Sequence, residues 1–160
     1  MHLKKSTKET PKVNAKIGKE WERNICLVLS SYGFWVHNML NGILGQPCDI
    51  VAINGHLPLL LDCKHLKKGL RFSFKDIEDN QMTTFERASK YNNIKECGFI
   101  IICEEYERIY YLPYTLVKTA EENGIVSIDC TQLETFVDRA NKWRKMYEDY
   151  NRKEPIYTRL

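Results

Sequence analysis

The sequence predicts an α/β fold in which a mixed β-sheet is flanked by α-helices. Three observations carry that expectation. Apolar residues recur at helical spacing over 16–32, the dipeptide Asn54-Gly55 separates two short apolar runs, and strand-like and helix-like segments alternate from there to a long final helix.

Residues 1–15 show no apolar periodicity and carry Lys4, Lys5, Lys8 and Lys12 against Glu9 alone, so they read as a mobile basic arm. Ile17, Trp21, Ile25, Val28, Leu29 and Tyr32 then form one helical stripe, which Gly33 closes. Residues 34–40 are aromatic and β-branched enough for a strand, and 41–46 make a short glycine-containing loop. The runs 50–53 and 57–61 are expected to pair as antiparallel strands, because Asn-Gly is the strongest short hairpin signal. Ser73, with Asp76 three residues on, can cap a helix reaching Tyr91 whose apolar face is Phe74, Ile77, Phe85, Ala88 and Tyr91. Strands over 99–103 and 108–112, a short helix after Pro113 and a possible short strand over 125–128 follow. Thr131 and Glu134 form a capping box for the last helix. One domain is expected over 16–151, with a C-terminal tail over 152–160.

A chain of 160 residues, 43% hydrophobic and 28% charged, can bury a core without disulfides or a structural metal. No apolar run approaches the roughly 20 residues that span a bilayer, and the lysine-rich N-terminus has no secretory pattern, so a cytoplasmic protein with no membrane partner is expected. Cys26, Cys48, Cys63, Cys97, Cys103 and Cys130 stand singly in apolar stretches and read as small buried hydrophobes rather than a zinc or redox site. Net charge is only +3, yet basic residues gather up to Lys19 and in the last helix, at Arg139, Lys142, Arg144 and Lys145. That distribution suits a polyanion without demanding one. His37, His56 and His65 read as surface or satisfied polar groups, and Trp21, Trp35 and Trp143 as core anchors.

The hairpin carries the chemistry. If Asn54-Gly55 closes a two-residue turn, Ile53 faces His56 and Asp49 lies opposite Leu60. Period-two alternation then puts Leu60, Asp62 and Lys64 on the face that Asp49 shares, with the two acids about 5–8 Å apart at the backbone. Like charges so placed repel, and a hard divalent cation resolves the conflict. The alternative is that Asp49 caps a turn while Asp62 pairs with Lys64 at an exposed strand end.

Pro47-Cys48-Asp49 followed by Asp62-Cys63-Lys64 resembles the P-x-D and (D/E)-x-K signature of the PD-(D/E)xK nuclease superfamily. Gly18-Lys19-Glu20-Trp21-Glu22 is similar to the G-x-x-x-E element of Holliday junction resolvases of the RecU and Hjc groups, and Gln81 matches the glutamine that RecU-like proteins place in the helix after the motif. The resemblance covers roughly 16–117 and implies a restriction-endonuclease-like fold and a magnesium-dependent endodeoxyribonuclease, with Mn²⁺ able to substitute. It assigns Glu22, Asp49 and Asp62 to the metal and Lys64 and Gln81 to catalysis. Lys67, Lys68 and Arg71, just beyond the motif where a phosphate backbone would approach, and Lys16 and Lys19 of the basic N-terminal segment are candidate DNA contacts. The implied protein is a homodimeric phage or bacterial resolvase of DNA recombination and repair that cuts four-way junctions in pairs. Two departures stand out: the acid before Lys64 is aspartate where those groups have glutamate, and 41–46 is too short for the RecU stalk. A restriction-like or repair nuclease acting on duplex, flapped or single-stranded DNA, and a non-catalytic nucleic-acid-binding or inhibitory protein on the same fold, are the alternatives.

Overall fold

The computed structural model describes residues 11–39 and 46–153, with side chains over 18–39 and 46–149. The first helix, α1 (Pro11–Ser31), begins five residues ahead of the apolar stripe, with a proline at its first position where the missing N–H costs nothing. The rest of the expected arm, 1–10, lies outside the described residues. β1 (Trp35–Asn38), β2 (Ile50–Asn54) and β3 (Leu57–Leu66) then form an antiparallel meander.

The turn between β2 and β3 sits one residue later than the dipeptide suggests. Asn54 pairs with Leu57, so Gly55 and His56 are the two turn residues, and Gly55 takes the positive φ of +57° that the first turn position requires. Asn54, freed from the turn, is buried, and its amide donates to the Tyr32 carbonyl at 3.4 Å.

After β3 the chain forms β4 (Arg71–Ser73), a 3-10 turn (Phe74–Asp76) and α2 (Asp79–Tyr91). Ser73 therefore caps no helix. It lies in a strand that pairs with β7 (Ser127–Asp129) in a two-stranded ribbon, and the strand expected over 125–128 thus starts two residues later and ends one later. Phe74 and Ile77 are buried ahead of α2, while Tyr91, expected inside, is 72% exposed. β5 (Glu96–Cys103), β6 (Arg108–Pro113) and α3 (Tyr114–Glu122) follow the expected order. Thr131 falls in a 3-10 turn (Cys130–Gln132) capped by Asp129, and Glu134 in β8 (Glu134–Thr135). The final helix α4 (Phe136–Lys153) opens instead on Thr135, whose Oγ1 accepts the Asp138 N–H at 3.3 Å.

The main sheet runs β1-β2-β3-β5-β6-β8, antiparallel throughout except where β3 and β5 lie parallel across the crossover through α2. Helices cover both faces. Ile25 and Leu29 of α1 and Phe136, Ala140 and Trp143 of α4 pack on Ile50, Leu59, Leu61 and Ile100. Phe85 and Ala88 of α2 and Tyr114 and Val117 of α3 pack on Cys97, Phe99, Ile101 and Leu112. β3 and β5 are thus buried on both sides, which is why their sequences are nearly continuous apolar runs. β1 is an edge strand, and there Trp35 departs from the core role expected of it: it is 62% exposed and stacked on His37. Trp143 is fully buried and Trp21 is half-buried against the α1 side of the core. Cys26 is also only half-buried, unlike the other five cysteines.

Gly98 lets β5 sit this closely against β6. A Cβ there would meet the Leu112 carbonyl oxygen at 2.5 Å and the Tyr111 ring at 2.8 Å. Gly98→Ala is expected to cost about 1–3 kcal/mol, read as a lower urea midpoint at unchanged slope. An unchanged midpoint would show that the two strands can part at no cost.

Candidate active site

The site forms where one strand outruns its neighbour. The β2–β3 ladder ends at Ile50 and Leu61, but β3 continues to Leu66 alongside β5. Residues 62–66 therefore have one edge without a paired strand, and Asp49, just before β2, turns into it. Its N–H donates to the Leu61 carbonyl at 3.1 Å, and its Oδ2 accepts the Cys63 N–H at 2.7 Å. A carboxylate here takes the place of a strand carbonyl. The Gln46 amide donates to Oδ1 at 2.9 Å and fixes the rotamer.

Alternation along β3 distributes the remaining groups. Asp62 and Lys64 point toward α2, where the Lys64 ammonium lies 3.0 Å from Asp62 Oδ2 and donates to Gln81 Oε1 at 2.7 Å. The Asp62 contact is an ion pair without hydrogen-bond alignment, since Oδ2 is buried and accepts no hydrogen bond. Gln81 is buried in the first turn of α2, and its Oε1 also accepts the Glu78 N–H at 3.2 Å. One glutamine thus caps its helix and anchors the lysine. Cys63 and His65 point the other way, toward α1. There a cleft of about 740 Å³ is lined by Gly18, Glu22, Asn38, Asp49 and His65 among others.

Asp49 links the two sides. Burial first, then the Asp49 charge, pushes the Asp62 carboxyl up to about 7 against the partial relief given by Lys64. On the other side burial and Asp49 raise Glu22, opposed by His65, by an Asn38 hydrogen bond and by Lys19. Glu22, Asp49, Asp62, Lys64 and Gln81 are therefore gathered around one strand end, with Glu22 and Asp62 on opposite faces and Asp49 at the edge between them.

The donor set fits a hard divalent cation. Two carboxylates that cannot both ionise comfortably, and a buried Gln46 Oε1 with no hydrogen-bond partner, are what such an ion would relieve. Among the described residues no three His, Cys, Asp or Glu side chains stand together as a ready metal cluster. Asp49 and Asp62 would hold the ion with water and substrate oxygens completing its shell, the manner in which Mg²⁺ is commonly bound.

The candidate DNA contacts are less uniform. Lys19 is exposed and lines the cleft, and Lys67 and Lys68 are exposed in the turn leaving β3. Arg71 lies in β4 and donates to Ser127 Oγ at 3.1 Å. The Lys16 side chain lies outside the described residues. His65 is the group that residue-by-residue reading missed. It is neither a surface residue nor a satisfied one, for Nδ1 lies 2.9 Å from Glu104 Oε1 while Nε2 is buried without a partner. His56 occupies the hairpin turn, and His37 is exposed on β1.

No protein-family model matches the chain, and no curated protein does. Among solved structures, the Holliday junction resolvase Hjc of Archaeoglobus fulgidus superposes with a TM-score of 0.59 at 19% identity, covering 77% of this chain and 99% of that one. D212, a nuclease from a fusselovirus, superposes with a TM-score of 0.55 at 11% identity, covering 91% of this chain and 99% of that one. The class defined here is an α/β fold of the Hjc nuclease type: a six-stranded mixed sheet between two helical layers. No helix among the described residues is long and apolar enough to cross a membrane.

Proposed function

We propose that this chain is a metal-dependent endonuclease that hydrolyses DNA phosphodiester bonds, and that its substrate is a four-way junction cut symmetrically by a homodimer. The observation that carries the reading is the meeting of Asp49, Asp62 and Lys64 at the unpaired end of β3. That end lies in a fold shared with a junction resolvase and with a second nuclease.

Each residue has a task that its surroundings permit. Lys64, held by Gln81, keeps an ammonium beside the acids, where it can orient an attacking water and offset charge growing on the phosphate. Gln81 fixes that ammonium on the rigid first turn of α2. Asp49, pinned by the Cys63 N–H and Gln46, holds its second oxygen at the strand edge. A divalent cation bound by Asp49 and Asp62 would supply water activation and charge neutralisation. The water oxygen bonds to phosphorus, one P–O ester bond breaks, and the leaving oxygen takes a proton. Lys19, Lys67 and Lys68 supply the positive surface on which a sugar-phosphate backbone would rest.

The test compares a labelled four-way junction with the matched linear duplex, each with Mg²⁺ and with chelator. Paired nicks at symmetric positions in the junction, in Mg²⁺ only, are expected. Equal cutting of the duplex would move the substrate to ordinary DNA, and binding without any cutting would make the protein a non-catalytic binder.

A further inference from the structure

The wing of the sheet that α2 and α3 leave uncovered carries an aromatic pair. Alternation sends Phe34 and Val36 toward α1, where they join the core, and Trp35 and His37 to the opposite face. Cross-strand partners fix which face that is. His37 pairs with Val51 and Val51 with Leu60, and both Val51 and Leu60 pack at the margin of the α2–α3 core. None of the buried residues of that core comes from β1. Trp35 therefore stands open beside its partner Ile53, which is 38% exposed. Its ring lies nearly parallel to that of His37, with 10° between the planes and 6.0 Å between the centres.

Single apolar residues on a surface need no explanation, but a flat aromatic pair continued by an exposed isoleucine is a patch. Asp62 and Lys64 lie on this same face, since they alternate in step with Leu60. From His37 to Asp62 is two strand spacings across, about 10 Å, and two residues along β3, about 7 Å. A protein seated on the patch would stand over the approach to the acids, whereas a nucleic-acid strand reaching them from the β1 side passes across it. Charge points the same way. A groove of about 400 Å³ between α1 and β1 is lined by Trp35, Ser30 and Arg23 among others, and Arg23 is the one charged residue in its lining. The groove shares Arg23, Cys26 and Asn38 with the cleft at Glu22 and Asp49. A groove with an arginine and no carboxylate suits a phosphate, and an exposed aromatic face suits a base.

We propose that Trp35 and His37 form a stacking platform for an unpaired nucleobase of the DNA substrate, a few nucleotides from the cut, with Arg23 on a phosphate of the same strand. Stacking tolerates any base, so the platform selects unpaired structure, as at a branch point, and not sequence. It rests on the nuclease reading for its place beside a cut, but stacking can be measured without cutting.

The experiment measures binding of the full chain to a short single-stranded oligo-dT and to linear duplex, in chelator and over a range of salt. The proteins are the wild type, Trp35→Ala, Trp35→Leu, Trp35→Phe and Arg23→Ala. Trp35→Ala is expected to weaken oligo-dT binding about 10-fold or more and duplex binding less than about 2-fold, with the salt slope unchanged. Trp35→Phe keeps an aromatic face and is expected to stay within about 3-fold of wild type, whereas Trp35→Leu, apolar but not flat, falls with alanine. Arg23→Ala is expected to lower the salt slope by about 1, and an unchanged slope removes Arg23 from the site. Equal oligo-dT affinity of wild type and Trp35→Ala, or a leucine as good as phenylalanine, overturns the platform. So does a Trp35→Ala chain that sediments as a monomer where the wild type is a dimer, because the patch is then a contact between copies. Junction cleavage in Mg²⁺ keeps the two readings apart: cutting with no loss of oligo-dT binding in Trp35→Ala sinks the platform alone, and Trp35-dependent binding without cutting sinks the nuclease alone.

Discussion

Replacing Asp62 by alanine is expected to lower the single-turnover rate of junction cleavage by at least about 10³-fold, because it removes one of two carboxylates proposed to hold the ion and unpairs Lys64. Affinity for uncleaved junction, measured in chelator, is expected to hold or to tighten. Asp62 adds negative charge where a phosphate must approach, and its loss relieves that repulsion. The split between rate and affinity is the discriminating feature, since a merely structural acid would take binding and folding down with it. Asp49→Asn should behave similarly in rate, although its reading is less clean. Asp49 Oδ2 accepts the Cys63 N–H, and an asparagine must turn its carbonyl to that position to keep the bond. Cleavage that survives Asp62→Ala within about 10-fold of wild type would remove the catalytic role from this strand end.

How far the site could be read from residue types follows from what each pattern encodes. The hairpin was legible because its turn signal is local. The structure moves the turn by one residue, which slides one strand past the other by two and leaves each side chain on its expected face, while Asp49 lies beyond the last pair, Ile50 with Leu61, and turns to the strand edge instead of the face of Asp62. Glu22 came from the resemblance, and helical spacing only permitted it by placing it on the border of the apolar stripe, where it is half-buried. Gln81 came from the resemblance and from falling near the middle of its helix's apolar face, and it is buried there even though the helix starts at Asp79 rather than near Ser73. Ser73 misled because a side chain able to cap a helix is equally at home in a strand, and only the distant β7 decides between them. Trp35 misled because hydrophobicity says nothing about whether an edge strand will be covered. His65 was within reach of the alternation rule, which sends it to the face opposite Lys64 and toward α1. What sequence could not supply was Glu104, a partner 39 residues away across the parallel β3–β5 pair.

The second large effect is a stability that changes with pH and with metal. Asp62 has an ordinary value of 3.8 and is pushed up to about 7 in the fold, by burial first and by Asp49 second. The folded chain therefore keeps this proton over a range where the unfolded chain has released it. The stability so gained is fully present below about pH 4 and is lost as pH rises through about 7. Asp62→Asn cannot titrate, so in chelator at pH 8 it is expected to be more stable than wild type by a few kcal/mol, an advantage that fades on acidification and is gone below about pH 4. The attraction of Lys64 is already contained in the net shift to about 7, which it lowers, so losing the pair takes nothing further from the gain. Mg²⁺ should act in the same pH range from the opposite direction. An ion that binds the two carboxylates replaces the proton, so saturating Mg²⁺ at pH 8 raises the melting temperature of wild type, by RT ln(1 + [L]/Kd) in free energy, and leaves Asp62→Asn nearly unmoved. Melting curves at pH 4, 6 and 8, with and without Mg²⁺, measure both effects in one set. Parallel pH dependences for the two proteins would mean that Asp62 is ionised without strain at neutral pH, and the pressure toward a shared cation would vanish with it.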